Sequence, residues 1–467
     1  MTGGSDGHHD RGRALWAAGR LAEAHDAFAE ALRLAPERLE SFDGVAQTAL
    51  HLCDWDKVDA IRPELERRIR QGQPLPPMLL LGYSGDAQLQ LLCARNNIRA
   101  RIPPFPPLWR GERYNHGRVR LAYISPDFRQ HVVAGQIAEL VERHDRTRFE
   151  AIGLATTPDD GSDLRARLAR GFERFHDISG MDYRARAAAI RGEEVDVLID
   201  LTGHTNGENF GVLAQRTCPL QLTWLGWPAT TGADFLDGVI ADRVVAPAAA
   251  EFSEPVLAMP GSYFVTDTSR AVGPVPSRAA AGLPDSGFVF CSFNANWKIT
   301  RPVFGLWMRL LRQVEGSVLW LRQSGGGADA NLVKAAQAAG VDPPRLVFAP
   351  HVALDAHLAR HACADLFLDT LPYNAHATAA DALFAGLPVL TCRGTAFAGR
   401  VGASLLTACD LPELIAETPE DYEALALALA RDPARLAALR GKLTRAAPLF
   451  DTAGFARDLE SLITSRL

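Results

Sequence analysis

The chain has 467 residues, 47% of them hydrophobic and 22% charged, with a formal net charge of -6. That length exceeds what one core organises, so two or three ordinary globular domains are expected. The acidic balance argues against a nucleic-acid partner, and no apolar run approaches the roughly 18–20 residues that span a bilayer.

The opening stretch, MTGGSDGHHDRGR, lacks the apolar centre of a signal peptide. The seven cysteines are scattered, with no CxxC pair. Reduced thiols and a cytoplasmic location are expected, with no disulfide framework and no zinc site. In residues 10–36, Gly12, Leu15, Gly19, Ala24, Phe28, Ala31 and Pro36 fall at the offsets of a tetratricopeptide repeat, a helix pair of about 34 residues. A second, degenerate pair is expected through 39–71. Since about three such repeats are needed for independent stability, the region 1–71 must lean on the rest of the chain. Residues 72–117 carry QPLPP and IPPFPPLW and read as a connector with one helix near 84–96.

From 118 short apolar runs alternate with helical stretches. Strands are predicted at 119–124, 149–155, 195–201, 220–225 and 238–242, with helices near 135–144, 163–171 and 182–192. After a linker at 268–285, strands recur at 287–293, 317–322, 345–350, 365–370 and 388–392. That alternation predicts two doubly wound, Rossmann-like α/β domains in tandem, 118–275 and 276–467, with a cleft at their C-terminal strand ends. No GxGxxG follows the first strand of either, which excludes the usual nicotinamide or flavin fingerprint.

The chemistry-bearing residues sit where those strands end. NANWKIT presents Lys298, and LPYNAHATAAD opens a helix with His376, Ala377 and Thr378. In a parallel sheet both loops lie on one rim, so Lys298, His376 and Thr378 are expected to converge. A helix start offers free amides and a positive dipole end, each worth only about 0.3–2 kcal/mol, so a phosphate needs the lysine as well. Asp381 is unfavourable beside a phosphate; it could instead hold a ribose hydroxyl, cap a neighbouring backbone or orient a cationic partner. His357 and Arg360, one helical turn apart, could meet a sugar or a base edge. In the first α/β half His131 follows a strand and a turn, a suitable position for a proton acceptor. LIDLTGHTNG places His204 at a strand end. WLGWPATTGAD offers a loop shaped by Leu225, Gly226 and Pro228, with the hydroxyls of Thr230 and Thr231 available for ligand recognition. No metal-binding pattern stands out in these loops.

In order, YISPDFRQH, TPDDGSDLR, LIDLTGHTNG, QLTWLGWPATTGAD, FNANWKI, LDTLPYNAHATAADALFAGLPVLT and GRVGASLL resemble the blocks of protein O-GlcNAc transferases and their SPINDLY-like relatives, over about residues 118–450. The helical stub and its CDW segment, 53–55, fit too. The resemblance implies a GT-B fold, a nucleotide-sugar donor bound by the second α/β domain, inversion at the anomeric carbon, no metal, and no cofactor beyond the donor. It implies that Lys298 neutralises the departing diphosphate, that His376, Ala377 and Thr378 form the phosphate-binding helix start, that Asp381 holds the ribose, and that His357 and Arg360 meet the nucleoside. His131 matches a proposed general base, and the LGWP loop lines the donor sugar. Ala295, Trp297, Leu354 and Ala377 depart from the animal enzymes, which leaves GlcNAc and other hexoses open.

The expected activity is therefore metal-independent, inverting transfer of a sugar from a UDP-sugar to a Ser or Thr hydroxyl of a protein or peptide. Two alternatives stand beside it: an adaptor with a vestigial nucleotide-sugar cleft, and a GT-B nucleotide-sugar epimerase.

Overall fold

A computed structural model describes residues 4–467. The first three residues of the expected 1–71 region lie outside the described residues. The chain divides into two compact units. One comprises residues 1–89, 271–406 and 410–444; the other comprises 90–270, 407–409 and 445–467.

The first unit begins with helices Ser5–Ala17, Leu21–Leu34, Leu39–His51 and Trp55–Arg70. Leu15, Ala24, Ala27, Phe28 and Val45 form their shared core. Gly12 and Gly44 are glycine for a packing reason: a Cβ at either would fall 2.6 Å from the Phe28 ring. The expected connector is more helical than its prolines suggest. Pro77 occupies the first position of helix Pro77–Tyr83, where its missing N–H costs nothing. Helix Ala87–Arg101 follows in place of the single helix expected at 84–96.

The second unit holds strands β1 Val119–Ser125, β2 Phe149–Ala155, β3 Arg174–Asp177, β4 Val197–Asp200, β5 Leu220–Thr223, β6 Gly238–Asp242 and β7 Val256–Met259. All pair in parallel, in the order β3-β2-β1-β4-β5-β6-β7. Helix Thr452–Thr464 belongs to this unit and is fastened through a buried relay. The Glu460 carboxylate accepts from His144 Nδ1 and from the Asp145 amide, each at 2.9 Å. That fixes the His144 proton on Nδ1, so the Tyr123 hydroxyl donates to Nε2 at 2.8 Å.

The remaining strands are β8 Val289–Ser292, β9 Val318–Arg322, β10 Leu346–Ala349, β11 Leu366–Leu368, β12 Val389–Cys392 and β13 Ile415–Ala416. They form the sheet of the first unit, again parallel, in the order β10-β9-β8-β11-β12-β13. Strands β3, β7 and β13 are absent from the sequence reading, and each is the edge of its sheet. Such a strand pairs on one side only and need not carry the unbroken apolar run of a central parallel strand. Arg174–Asp177 reads RFHD, with no residue fully buried. In each sheet the strand order reverses once, between β1 and β4 and between β8 and β11, and ligands of open α/β sheets bind at such points. Among the described residues no helix is long and apolar enough to cross a membrane.

Candidate active site

The loops after β8 and β11 flank the reversal point of the first unit's sheet, and the structure brings their key residues together. Lys298 ends a short turn, Asn296–Lys298, and its Nζ donates to the Asn374 carbonyl at 2.9 Å. The ammonium lies 3.7 Å from the centroid of the Tyr373 ring, a cation–π contact. Enclosure away from water pulls the lysine down to about 7, while the nearby Asp369 carboxylate pushes the other way.

Asp369 shapes the loop that receives this lysine. Its fully buried carboxylate accepts from the amides of Thr370 at 2.7 Å and Ala375 at 2.5 Å, and from the Thr391 hydroxyl at 2.7 Å. Burial raises it to about 6 against those hydrogen bonds. The chain then enters helix Ala377–Phe384 with His376 at the cap. The amides of Ala377 and Thr378 have no acceptor among the described residues, and the alanine methyls leave that end of the helix uncrowded.

His376 and Thr378 are both at this site, but neither offers its donor outward. His376 Nε2 meets the Ala398 carbonyl at 3.1 Å. A carbonyl only accepts, so the proton is on Nε2 and Nδ1 is left as an acceptor. Burial, helped by the Lys298 charge, holds this imidazole well below its ordinary value, hence neutral. The Thr378 hydroxyl donates to Asn294 Oδ1 at 2.6 Å. Asn294 Nδ2 donates on to Thr370 Oγ1 at 2.9 Å, and Thr370 donates to the Tyr373 carbonyl at 2.7 Å. The expected convergence of Lys298, His376 and Thr378 is found, but the His376 and Thr378 side chains brace the loop, which leaves the ammonium and two backbone amides as donors.

The nucleoside candidates form a second cluster around helix Leu354–Arg360. Arg360 is buried, with its guanidinium 4.3 Å from the Phe293 ring centroid and Nη1 donating to the Pro350 carbonyl at 2.7 Å. Its Nη2 lies 2.6 Å from His357 Nδ1. A guanidinium only donates, so His357 carries its proton on Nε2, which faces Asp381 Oδ2 at 3.9 Å. Arg360 therefore orients His357, and His357 with Asp381 presents one donor and one carboxylate.

In the second unit, His131 caps helix Val132–Arg143, its Nδ1 accepting from the Val133 amide at 3.3 Å. The same nitrogen is 3.5 Å from Oδ2 of buried Asp127. Burial lowers this histidine and the carboxylate opposes it. After β4, Asp200 accepts from the Gly203 amide at 2.7 Å and from Asn209 at 3.1 Å. His204 packs against Phe210 and Trp227, and its Nε2 meets the Thr231 carbonyl at 2.6 Å. Burial brings it down to about 4, so it is neutral. After β5, Leu225 is left-handed at φ 67°, and a Cβ on Gly226 would stand 1.9 Å from the Leu201 carbonyl oxygen. Leu225 and Pro228 are buried.

The expectation that Thr230 and Thr231 recognise a ligand is corrected here. Both are buried and bonded to the Glu254 carboxylate, which also accepts the Thr231 amide at 2.6 Å. Trp224 and Trp227 are core residues, their indole N–H groups on the carbonyls of Tyr263 and Thr230. Sequence reasoning missed Asp369, Asn294, Tyr373, Asp200 and Glu254. A single buried carboxylate or amide leaves no periodic mark, and the partners of Asn294 and Glu254 lie tens of residues away.

Two parallel sheets of this order, each with a built loop at its reversal point, together with the helical repeat region, define a GT-B glycosyltransferase fold. The chain belongs to glycosyl transferase family 41, whose family model matches residues 101–275 and 271–459. A tetratricopeptide repeat model matches residues 5–38. Over 442 residues the chain is 30% identical to a probable UDP-N-acetylglucosamine–peptide N-acetylglucosaminyltransferase, SEC, of Arabidopsis thaliana, covering 88% of this chain and 45% of that one. Over 547 residues it is 26% identical to the UDP-N-acetylglucosamine–peptide N-acetylglucosaminyltransferase of Caenorhabditis elegans, covering 88% and 47%. The chain thus spans less than half the length of either relative. A solved point mutant of the Thermobaculum terrenum O-GlcNAc transferase superposes with a TM-score of 0.83 at 25% identity, covering 99% of this chain and 90% of that one.

Proposed function

We propose that this chain transfers a sugar, N-acetylglucosamine or a related hexose, from a UDP-linked donor to a Ser or Thr hydroxyl of a protein or peptide. The transfer inverts the anomeric carbon and needs no metal. The observation that carries the reading is the seat of Lys298: its ammonium is bonded to the Asn374 carbonyl, on the loop that opens helix Ala377–Phe384 beside the strand-order reversal at β8 and β11, and the first two amides of that helix have no acceptor among the described residues. The names of the relatives point to the same donor and acceptor class.

The acceptor oxygen attacks the anomeric carbon from the face opposite the diphosphate. The bond from that carbon to the β-phosphate oxygen breaks, and its electron pair leaves with UDP. Lys298 and the two amides meet the charge that develops there, a contribution that grows along the reaction and so favours the transition state. His357 and Asp381 address the nucleoside, and His131 is the candidate acceptor of the hydroxyl proton. For that role Nδ1 must give up its acceptor contact with the Val133 amide and carry a proton turned to Asp127, so that Nε2 is free to accept.

Calorimetry with UDP-, GDP- and CMP-sugars, followed by transfer to a peptide library read by mass spectrometry, tests the proposal. Binding of UDP-N-acetylglucosamine and a glycosylated peptide are expected. Flat heats across the panel would favour the adaptor, and a changed sugar without an acceptor the epimerase.

A further inference from the structure

The turn between the third and fourth helices, His51–Trp55, is tied to the loop that carries Lys298. The Trp55 indole Nε1 donates to the Ile299 carbonyl at 3.0 Å. The Cys53 thiol donates to the Asn296 carbonyl at 3.4 Å, and Asn296 Nδ2 donates to the His51 carbonyl. Cys53 itself is left-handed at φ 51°, which aims the turn at that loop. Rings continue the connection: Trp16 to His51 at 5.1 Å, His51 to Trp297 at 6.4 Å, Trp297 to Tyr373 at 5.2 Å, and Tyr373 to His376 at 4.8 Å. Residues 296–299 are thus held from the repeat side on both flanks of Lys298. An isolated repeat pair used only to bind a partner has no need of these contacts.

We propose that the His51–Trp55 turn is a positioning element of the phosphate site, with Trp55 and Asn296 as positioning residues that set Lys298 against Asn374 and Tyr373. The repeat region is then part of the donor machinery. This rests on the role given to Lys298 under Proposed function.

The chain has only four lysines, Lys57, Lys298, Lys334 and Lys442. Reductive 13C-methylation therefore gives a small set of signals that can be titrated by NMR, with Lys298→Arg assigning its own. Asp369, His376 and Tyr373 are the titratable groups around that ammonium. Trp55→Phe keeps the ring that packs on Phe304 and removes only the indole donor. Asn296→Ala removes the tie to His51. Each variant is expected to raise the Lys298 midpoint by about one unit or more, as water reaches the loosened ammonium. Each is also expected to lower kcat about five- to tenfold, the scale of one lost hydrogen bond, with KM for the UDP-sugar within about twofold. Asp56→Asn is the control. It breaks an exposed ion pair of the same interface, to Arg301, and should leave both readouts unchanged. An unshifted lysine midpoint in both variants, or activity lost only in proportion to the folded fraction, overturns the proposal. The titration needs no substrate, so a chain that turned over no UDP-sugar would remove the functional reading while the lysine midpoint still decided this one.

Discussion

Lys298 Nζ rests 2.9 Å from the Asn374 carbonyl, although the two residues are 76 positions apart in the chain. The lysine thus has a fixed seat on the loop that opens helix Ala377–Phe384, not merely a place on the same rim. An ammonium held in place costs no reorganisation when the leaving group develops charge. Lys298→Met is expected to lower kcat about 100- to 1000-fold, the range for loss of one pre-placed charge stabiliser, and to weaken UDP binding as well, by the smaller factor that the charge contributes to the ground state. Single-turnover kinetics and calorimetry on the same preparation separate the two effects. The substitution removes a poorly solvated amine, so its Tm at pH 6 should be no lower than wild type.

Donor binding should depend on pH through the same group. Burial leaves the free Lys298 near 7, and a bound diphosphate must raise it, since an opposite charge favours the ammonium. Between the free value and the higher bound value, binding takes up a proton. Affinity is therefore full below about pH 7 and falls by up to about tenfold per pH unit above it, until the bound value is reached. Calorimetry with UDP-N-acetylglucosamine in buffers of different ionisation enthalpy would register the uptake at pH 8. A Kd that stays constant from pH 6 to pH 9 would count against this role for the lysine.

The central strands and the loops after β8 and β11 were legible because each signal is local. An apolar run marks a buried parallel strand, and a lysine or an Asn-Ala-His-Ala-Thr stretch at its end marks a candidate site loop. The direction of each donor was not legible. Thr378 gives its proton to Asn294, 84 positions earlier, and His376 gives its proton to Ala398, 22 positions later. Local spacing says that a hydroxyl or an imidazole sits at a helix start, while only the fold says what it touches. Edge strand β3 escaped for the complementary reason: its pairing to β2 is a backbone ladder, and RFHD contributes little apolar signal to it.

Arg360 should act on binding and not on the chemical step. Its two terminal nitrogens serve the Pro350 carbonyl and His357 Nδ1, while its plane covers Phe293. A lysine ammonium cannot reproduce that planar, divided geometry. Arg360→Lys is expected to release the His357 ring and raise the Kd for UDP about tenfold, with kcat at saturating donor within about twofold, the pattern for an interaction equal in ground and transition states. An unchanged Kd would show that the orientation of His357 does not matter to the nucleoside.

Gly226 offers a test of the loop after β5 that needs no ligand. A Cβ there would lie 1.9 Å from the Leu201 carbonyl oxygen and 2.8 Å from its carbon, both backbone atoms of the β4 loop. Rotation of a side chain cannot relieve such a contact, so the two loops must separate. Their fastening would go with them: the His204 ring on the Thr231 carbonyl, and Thr230 and Thr231 on Glu254. Breaking buried hydrogen bonds of this kind costs about 1–3 kcal/mol for each group left unpaired. Gly226→Ala is therefore expected to lower the Tm of the second unit by several degrees or to prevent its folding, whereas Asn206→Ala, on the exposed part of the same region, should be neutral. Thermal denaturation followed by near-ultraviolet circular dichroism reports the change through Trp224 and Trp227, both buried beside these loops. Equal melting of Gly226→Ala and wild type would mean that the close approach of Gly226 to Leu201 is not what shapes the loop.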